Sequence, residues 1–177
     1  MMSESDGAID KLKRVAVLVL DVDGVLTDGS IVYTDAGDEV KSFSARDGLG
    51  IRLLMDAGIT VCIITGRRSN ALMHRCRDLG ITHVIDGAGD KRQALMDLAD
   101  GFKVPMTSVA CMGDDLPDIP MFRMAGLSIA VADADETVKQ SADLVTTAPG
   151  GAGAVRELAE RILKTQARWK TVTARFQ

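Results

Sequence analysis

An uninterrupted apolar run that ends in two aspartates constrains the fold of this chain more than any other segment. The run Val15-Ala16-Val17-Leu18-Val19-Leu20 is followed by Asp21 and Asp23. A short apolar run rich in β-branched residues is typical of a strand buried on both faces of a parallel sheet. Carboxylates at the carboxyl end of such a strand lie in the crevice where open α/β sheets bind ligands.

The spacing of the two aspartates suggests a chemical use for them. In an ideal strand, side chains at positions i and i+2 point to the same face, so Asp21 and Asp23 are predicted to lie close together. Two neighbouring carboxylates repel each other, and the site therefore favours a cation or a shared proton between them. These needs fit a Mg²⁺-dependent reaction with one carboxylate as nucleophile and the other as acid/base. The pattern alone equally fits a strand-end Asp that caps the next element beside a solvated neighbour.

Size and composition exclude several classes of protein. The chain has 177 residues, which fits one domain over residues 1–177. Its net charge of -4 argues against sequence-independent binding of nucleic acid, and no apolar run approaches the roughly 20 residues that a membrane span needs. Neither nucleic acid nor a membrane is therefore expected as a partner. The polar residues 1–10 do not resemble a secretory signal, and three cysteines without a CxxC pair fit a reducing cytoplasm.

Strand-like runs alternate with helical periodicity along the rest of the chain. Two β-prone runs around a polar turn with Gly37 predict a β-hairpin over about residues 30–44. The other predicted elements, in chain order, are helix 47–57, strand 59–64, helix 69–79, strand 82–85, helix 90–101, strand 109–112, helix 116–124, strands 127–131 and 143–145, and helix 154–168. This alternation predicts an α/β fold with a doubly wound, mostly parallel sheet. The polar tail, about residues 165–177, carries the only Trp and is predicted to have no role in the core.

Polar residues recur at the predicted carboxyl ends of the strands, which a parallel sheet brings to one edge. Besides the first two aspartates, the candidates are Thr65, Lys91, Asp114, Asp115 and Asp118. A phosphate dianion needs fixed donors, and the Thr65 hydroxyl and the Lys91 ammonium supply them. Mg²⁺ prefers oxygen ligands and usually keeps several waters, so two or three carboxylates suffice to hold it. Together the residues predict phosphoryl transfer, although each alone also fits a turn or a solvated helix position.

In this order the residues resemble the four motifs of the haloacid dehalogenase superfamily of phosphotransferases. The motifs are Asp21-x-Asp23-Gly-Val-Leu-Thr27, Thr65-Gly66, Lys91 and Gly113-Asp114-Asp115-x-x-Asp118. The resemblance implies that Asp21 attacks phosphorus to form an aspartyl-phosphate. It also implies that Asp23 protonates the departing oxygen and then activates the water that hydrolyses the intermediate.

The same resemblance implies Mg²⁺ as the cofactor. Its ligands would be the Asp21 carboxylate, the Asp23 backbone carbonyl and the Asp114 carboxylate. Asp115 and Asp118 would be a further ligand or groups that position the ligands. The cation, Lys91 and Thr65 would together offset charge on the transferring group, where phosphoryl-transfer catalysis mainly lies.

Within the superfamily, the chain resembles the capless family of 3-deoxy-D-manno-octulosonate 8-phosphate (Kdo 8-phosphate) phosphatases over about residues 13–165. The matching segments are residues 21–29, 46–51, 65–67, 113–118, 130–133 and 150–157. This resemblance implies hydrolysis of a small sugar phosphate in lipopolysaccharide precursor synthesis. It also implies a homotetramer in which the hairpins form a central β-barrel and neighbouring subunits complete each active site. In a monomer the edges of the hairpin would be exposed and prone to aggregation. Assembly into the tetramer would cover these edges and give the hairpin a function.

The substrate of that family carries a carboxylate as well as a phosphate, which calls for a second cationic site. Arg46 and Arg67 lie next to the motifs and are the candidates, because guanidinium pairs well with carboxylate. Both also fit an ordinary surface or capping ion pair. The chain departs from the family at Ala152, where many members carry Arg. Loss of that cation would alter substrate contacts across the subunit interface or the ordering of the tail.

Other functions remain open on the sequence alone. The nearest is a phosphatase for a nine-carbon, sialic-acid-type sugar 9-phosphate; Arg67, in place of an acidic residue after Thr65-Gly66, favours the eight-carbon substrate. A second is a non-catalytic oligomerisation module of the same fold, which the intact motif residues disfavour. A third is a response-regulator-like receiver domain, which the second carboxylate of Asp-x-Asp and the hairpin after it disfavour.

Overall fold

The computed structural model of the chain describes residues 6–176. Its main strands are β1 (Val17–Leu20), β4 (Thr60–Ile64), β5 (His83–Ile85), β6 (Val109–Gly113), β7 (Leu127–Ala130) and β8 (Leu144–Val145). They form one parallel sheet in the order β5-β4-β1-β6-β7-β8. Two further strands, β2 (Val32–Tyr33) and β3 (Glu39–Val40), pair antiparallel in the segment after β1. The predicted doubly wound α/β fold with an inserted hairpin is confirmed.

Helices cover both faces of the sheet. They are α1 (Asp6–Arg14), α2 (Ala45–Asp56), α3 (Asn70–Leu79), α4 (Lys91–Phe102), α5 (Ile119–Phe122), α6 (Glu136–Ser141), α7 (Ala154–Thr165) and α8 (Trp169–Thr173). The helix α7 packs on α1 and α2, whereas α5 packs on α4 and α6. Right-handed crossovers place these two groups on opposite faces. Within residues 6–176, no helix combines the length and the apolar character that crossing a bilayer requires.

Local sequence explains where the elements begin. All four β1 side chains are buried, as expected for a central strand covered by helices on both faces. Ser44, Ser69 and Asp90 accept hydrogen bonds from backbone N–H groups in the first turns of α2, α3 and α4. Such caps satisfy donors that the start of a helix leaves free. The Asp90 cap also fixes Lys91 as the first residue of α4.

Both ends of the described chain contribute to the core, and neither contribution was predicted from the sequence. At the start, α1 buries Ala8 and Leu12, but its many charges concealed this spacing. At the other end, α7 stops three residues earlier than predicted, and Trp169 in α8 packs against the core. The prediction that the tail has no core role is therefore wrong, because one large aromatic ring can bury much apolar surface in a segment that is polar on average.

The hairpin is short, and several of its apolar and aromatic side chains are exposed. Val32 pairs with Val40, and Tyr33 pairs with Glu39. Val32, Tyr33 and Val40 are 50%, 58% and 49% exposed. A two-stranded ribbon of this size has little stability of its own, so its contacts with the rest of the molecule hold it in place.

Candidate active site

Asp21 lies just beyond β1, at the carboxyl edge of the sheet. It is only 5% exposed, and its backbone N–H donates to the Met112 carbonyl at 3.1 Å. Its Oδ1 accepts a hydrogen bond from Lys91 Nζ at 2.8 Å. Burial and the neighbouring Asp118 carboxylate raise the pKa of Asp21 to about 6, although Lys91 opposes the shift. The ionised form of Asp21 therefore needs positive charge close by.

Lys91 supplies part of that positive charge. Its Nζ donates to Asp21 Oδ1 at 2.8 Å and to Asp118 Oδ1 at 2.7 Å. Burial opposes the charge on Lys91, but the two carboxylates together raise its pKa above the ordinary value. Lys91 is therefore an ammonium at neutral pH, and it joins the ends of β1 and β6 through its two partners.

Asp118 organises the turn after β6. The chain leaves this strand through a short 3-10 turn, Leu116–Asp118, so the predicted helix over 116–124 reduces to this turn and the four-residue α5. The buried Asp118 Oδ2 accepts from the backbone N–H groups of Asp114 at 3.0 Å and Asp115 at 3.3 Å. The Asp115 carboxylate instead accepts from Leu116 N at 2.8 Å and stays exposed. Asp118 therefore lies in the site, while Asp115 caps the turn.

Two glycines let the motif loops come this close together. Gly24 has φ +93°, and a Cβ there would lie 2.0 Å from Asp114 Oδ2. A Cβ on Gly113 would lie 2.4 Å from Asp118 Oδ2. Any side chain at either position would push a carboxylate away, because real Cβ contacts do not fall below 3.0 Å. The glycine beside each acidic motif is thus a spatial requirement of the site.

The acidic cluster, defined as Asp21, Asp114 and Asp118, fits a divalent cation. Each residue offers one carboxylate oxygen, and these oxygens all lie within 4.8 Å of one another. Burial and the surrounding carboxylates, Asp21 foremost, raise the pKa of Asp114 to about 8. Three carboxylates face one ammonium, so the cluster lacks positive charge. An all-oxygen donor set is the kind that Mg²⁺ takes.

Thr65 lies at the end of β4, next to β1 in the sheet. Its side chain is buried, and its Oγ1 accepts from Arg67 N at 3.4 Å. Its backbone bonds to Ile85 and Ala88, each at 2.9 Å, and this fixes the loop after β4 against the loop after β5. No hydrogen bond joins Thr65 to the acidic cluster within the described residues. Thr65 occupies the predicted edge of the sheet and keeps its hydroxyl close to the backbone of the motif loop.

Asp23 has surroundings different from those of Asp21. The strand β1 ends at Leu20, and both aspartates lie in the turn that follows. The alternation of side chains along a strand therefore does not explain their placement, contrary to the sequence argument. Asp23 Oδ1 accepts from Lys41 Nζ, and its Oδ2 lies 3.5 Å from Arg67 Nε. Asp23 thus faces cations from the hairpin and from the loop after β4.

Sequence reasoning missed Lys41. Its side chain is 2% exposed, and its Nζ also lies 3.3 Å from Glu39 Oε1. Glu39 lies in β3, the second strand of the hairpin, and Lys41 follows two residues later. This spacing places side chains on one face of a strand. That spacing was the only signal in the sequence, and alternating charges of this kind are common on solvated hairpins.

The two predicted substrate-binding arginines have different placements. Arg67 is 44% exposed, and its guanidinium donates to Glu39 Oε1 at 2.9 Å and to the Tyr33 hydroxyl at 3.0 Å. Arg67 therefore lies beside Asp23 and at the mouth of the site. Arg46 is exposed in the first turn of α2. In the part of the chain that the structure describes, Arg46 forms no hydrogen bond or ion pair with the site residues.

The glycine-rich segment near residue 150 braces the first motif. A Cβ on Gly150 would lie 1.7 Å from the Gly24 carbonyl oxygen, and Gly151 N donates to Val25 O at 2.9 Å. Ala152 is exposed within this segment. The buried Asp47 carboxylate holds the segment from the other side, since it accepts from Gly153 N at 3.1 Å and Arg156 N at 2.8 Å. Asp47 thereby caps α7, whose own N-cap, Gly153, has no side chain to do so.

Replacement of Asp47 should destabilise the protein measurably. We expect Asp47→Ala to lower the free energy of unfolding by about 2–3 kcal/mol, because two N–H groups at the buried start of α7 lose a charged acceptor. Asp47→Asn keeps one acceptor oxygen and should lose about half as much. Urea unfolding followed by circular dichroism measures both. The matched control is Asp97→Ala on the exposed side of α4, and equal stability of the Asp47 and Asp97 variants would contradict the capping role.

Known proteins resemble this chain over most of its length. The family model for haloacid dehalogenase-like hydrolases matches residues 80–158. The 3-deoxy-D-manno-octulosonate 8-phosphate phosphatase of Escherichia coli (strain K12) is 44% identical over 162 residues, which cover 92% of this chain and 86% of that protein. Its namesake in Salmonella typhi is 43% identical over 162 residues and the same shares of both chains.

A solved structure of the same kind of enzyme superposes closely. The 3-deoxy-D-manno-octulosonate 8-phosphate phosphatase of Moraxella catarrhalis was crystallised in complex with a magnesium ion, a phosphate ion and Kdo. It matches with a TM-score of 0.94 and 42% identity, covering 96% of this chain and 98% of that one. The chain therefore belongs to the haloacid dehalogenase-like hydrolases and, within them, to the family of 3-deoxy-D-manno-octulosonate 8-phosphate phosphatases.

Proposed function

We propose that this protein is a Mg²⁺-dependent phosphatase that hydrolyses Kdo 8-phosphate to Kdo and inorganic phosphate. The observation that carries the proposal is the contact of Lys91 with Asp21 and Asp118 inside the acidic cluster. A buried carboxylate beside a fixed ammonium and a cation site is suited to attack on a phosphate ester, whose negative charge would otherwise repel it. The choice of Kdo 8-phosphate as substrate rests on the relatives, which are named as phosphatases of this compound.

The reaction divides into two phosphoryl transfers. In the first, an Asp21 carboxylate oxygen attacks phosphorus, the bond from phosphorus to the sugar oxygen breaks, and Asp23 gives its proton to that oxygen. In the second, water attacks phosphorus of the aspartyl-phosphate, and Asp23 takes the proton of the water. The acyl-phosphate bond breaks, and Asp21 and inorganic phosphate are released. Lys91 offsets negative charge on the transferring group in both steps.

The residues that would hold Mg²⁺ are the carboxylates of Asp21 and Asp114 and the backbone carbonyl of Asp23. Asp118 lies in the acidic cluster and supports them through its bonds to Lys91 and to the turn after β6. When bound, the ion supplies positive charge that draws phosphate and nucleophile together. The Thr65 hydroxyl and the backbone N–H groups at the strand ends orient the phosphate oxygens.

Arg67 is the proposed contact for the sugar carboxylate. It lies beside Asp23, and its guanidinium is partly exposed at the mouth of the site. A guanidinium can exchange a protein carboxylate for a substrate carboxylate, because both accept the same paired donors. Arg46 is the second candidate; its exposed position in α2 suits a site completed by a neighbouring subunit.

The test of the function is phosphate release from Kdo 8-phosphate, with Mg²⁺ and then with EDTA. We expect turnover with Mg²⁺ and its loss in EDTA. A nine-carbon, sialic-acid-type 9-phosphate is the competing substrate in the same assay. Faster turnover of the nine-carbon compound would keep the chemistry and overturn the proposed substrate. Turnover of an aryl phosphate alone would overturn both sugar substrates.

We also propose that the protein works in the cytoplasm as a homotetramer joined through the hairpin. Support for the assembly is the group of exposed apolar and aromatic side chains on the hairpin: Ile31, Val32, Tyr33 and Val40. Apolar side chains grouped on a sheet edge favour pairing with another chain. Support for the compartment is that Cys62, Cys76 and Cys111 are all buried free thiols.

Charges placed on the hairpin should break the tetramer. Val32 and Val40 are cross-strand partners, and we expect Val32→Glu/Val40→Glu to put two like charges into the intersubunit contact. Light scattering after gel filtration should then change from four times the 18.8 kDa chain mass to a smaller species. Met73→Glu on α3, which is also exposed but lies outside the hairpin, is the control. An unchanged mass for the double variant would place the subunit contact elsewhere.

A further inference from the structure

Lys41 is a buried ammonium that the proposed chemistry does not use. Its side chain is 2% exposed, which is rare for lysine unless the charge is paired. Its Nζ meets two carboxylates, Asp23 Oδ1 and Glu39 Oε1. A buried ammonium between two carboxylates is held in one place, since movement from either partner would leave charge without compensation.

The contact with Lys41 gives the two carboxylate oxygens of Asp23 different surroundings. Oδ1 accepts from Lys41, whereas Oδ2 is buried and has no hydrogen-bond partner within residues 6–176. Arg67 Nε lies 3.5 Å from Oδ2, too far for a strong hydrogen bond. A carboxylate anchored by one oxygen cannot turn freely about its last bond. The other oxygen is thereby kept in one direction, and no hydrogen bond within the described residues occupies it.

The anchoring group comes from the hairpin and not from the sheet. Lys41 follows β3, Glu39 lies in β3, and Tyr33 in β2 accepts from Arg67. Lys41, Glu39, Asp23 and Arg67 together carry two positive and two negative charges, so the group is balanced. The hairpin therefore fixes the geometry around Asp23 through Lys41, while Lys91 at the start of α4 binds Asp21.

We propose that Lys41 is a positioning residue for the reaction: it holds Asp23 Oδ1 so that Oδ2 faces the leaving-group oxygen. This inference rests on the proposed function only in taking Asp23 as the acid/base, and it holds for any phosphate ester. Without Lys41, Asp23 stays in the site but samples orientations from which its proton does not reach the leaving oxygen. General acid catalysis then weakens, while attack by Asp21 does not change.

Leaving groups of different basicity separate this role from a structural one. An alkyl phosphate needs a proton on its departing oxygen, whereas 4-nitrophenyl phosphate loses a stable phenolate without one. We expect Lys41→Met to lower kcat/KM about 100-fold for a primary alkyl phosphate and less than about 5-fold for 4-nitrophenyl phosphate. The ratio kcat/KM is used because it depends only on the steps up to and including the first irreversible one. That step precedes the attack of water on the aspartyl-phosphate. Lys13→Met, an exposed lysine on α1 paired with Asp10, should leave both values unchanged.

A second variant tests whether Lys41 acts through Asp23. In an Asp23→Asn background, Lys41→Met should cause no further loss on the alkyl phosphate, because the proton donor is already absent. If Lys41→Met does not fold, Lys41→Met/Glu39→Gln removes one charge of each sign and is used in its place. Equal losses on both substrates, or additive losses in the Asp23→Asn background, would overturn the proposal. Because 4-nitrophenyl phosphate reports turnover without any sugar, failure of the Kdo 8-phosphate assignment is seen separately.

Discussion

Asp21→Asn should abolish turnover and leave the protein folded. The variant keeps the size of the side chain but replaces the attacking oxygen by a neutral amide group. We expect kcat to fall by about 10⁴-fold or more, the scale of loss that follows removal of a covalent nucleophile. The assay is phosphate release from Kdo 8-phosphate and from 4-nitrophenyl phosphate under saturating Mg²⁺.

Two opposing effects determine the stability of the same variant. The pKa of Asp21 is raised to about 6 in the folded protein by burial and by Asp118. A carboxyl group whose pKa is raised disfavours folding where it is ionised, so this penalty is present above pH 6 and disappears as the group is protonated at lower pH. Asp21→Asn removes the penalty but also removes one of the two charged partners of Lys91 and leaves Asp118 as the other. In EDTA at pH 7.5 the melting temperature should therefore stay close to that of the parent chain.

Asp97→Asn is the matched control for this substitution. Asp97 is exposed on α4 and accepts from Gln93 Nε2 at 2.8 Å, a bond that an amide oxygen can keep. Both its activity and its melting temperature should equal those of the parent chain. An Asp21→Asn variant that retains turnover within about 10-fold of the parent would refute Asp21 as the nucleophile.

What the sequence predicts well in this protein depends on local patterns. The apolar run of β1 needs no partner to be recognised, and the capping residues Ser69 and Asp90 lie next to the helices that they start. The parallel arrangement of the strands follows from their alternation with helices. These rules bring Asp21, Thr65, Lys91 and Asp114 to one edge of the sheet before any contact is known.

What the sequence does not predict depends on contacts between distant segments. Lys41 is buried only because the turn after β1 brings Asp23 beneath the hairpin. Asp47 occupies the first turn of α2, where acidic residues are common, yet it caps α7 more than 100 residues later in the chain. Trp169 packs against the core although its neighbours are polar. In each case the residue and the segment that it contacts are too far apart in the chain to appear in one short window of sequence.

Lys91→Met should reduce catalysis and strengthen the binding of Mg²⁺ at the same time. Removal of the ammonium leaves the acidic cluster with three carboxylates and without its cationic partner among residues 6–176. We expect kcat/KM to fall about 10³-fold, as when a fixed donor to the transferring group is lost. In EDTA the free energy of unfolding should fall by about 3 kcal/mol, because a buried charge network has lost one partner.

Added Mg²⁺ should then restore more stability to the variant than to the parent chain. The ion replaces the missing positive charge, and a ligand that binds only the folded protein stabilises it by RT ln(1 + [L]/Kd), so tighter binding gives a larger rise in melting temperature at the same Mg²⁺ concentration. Thermal unfolding across a Mg²⁺ titration measures this difference, and Lys13→Met gives the response of an exposed lysine. A smaller Mg²⁺ response in Lys91→Met than in the parent would mean that Lys91 helps to build the cation site. A larger response would mean that Lys91 competes with the ion for the same carboxylates, and that the ammonium keeps this site from holding the metal too tightly before phosphate arrives.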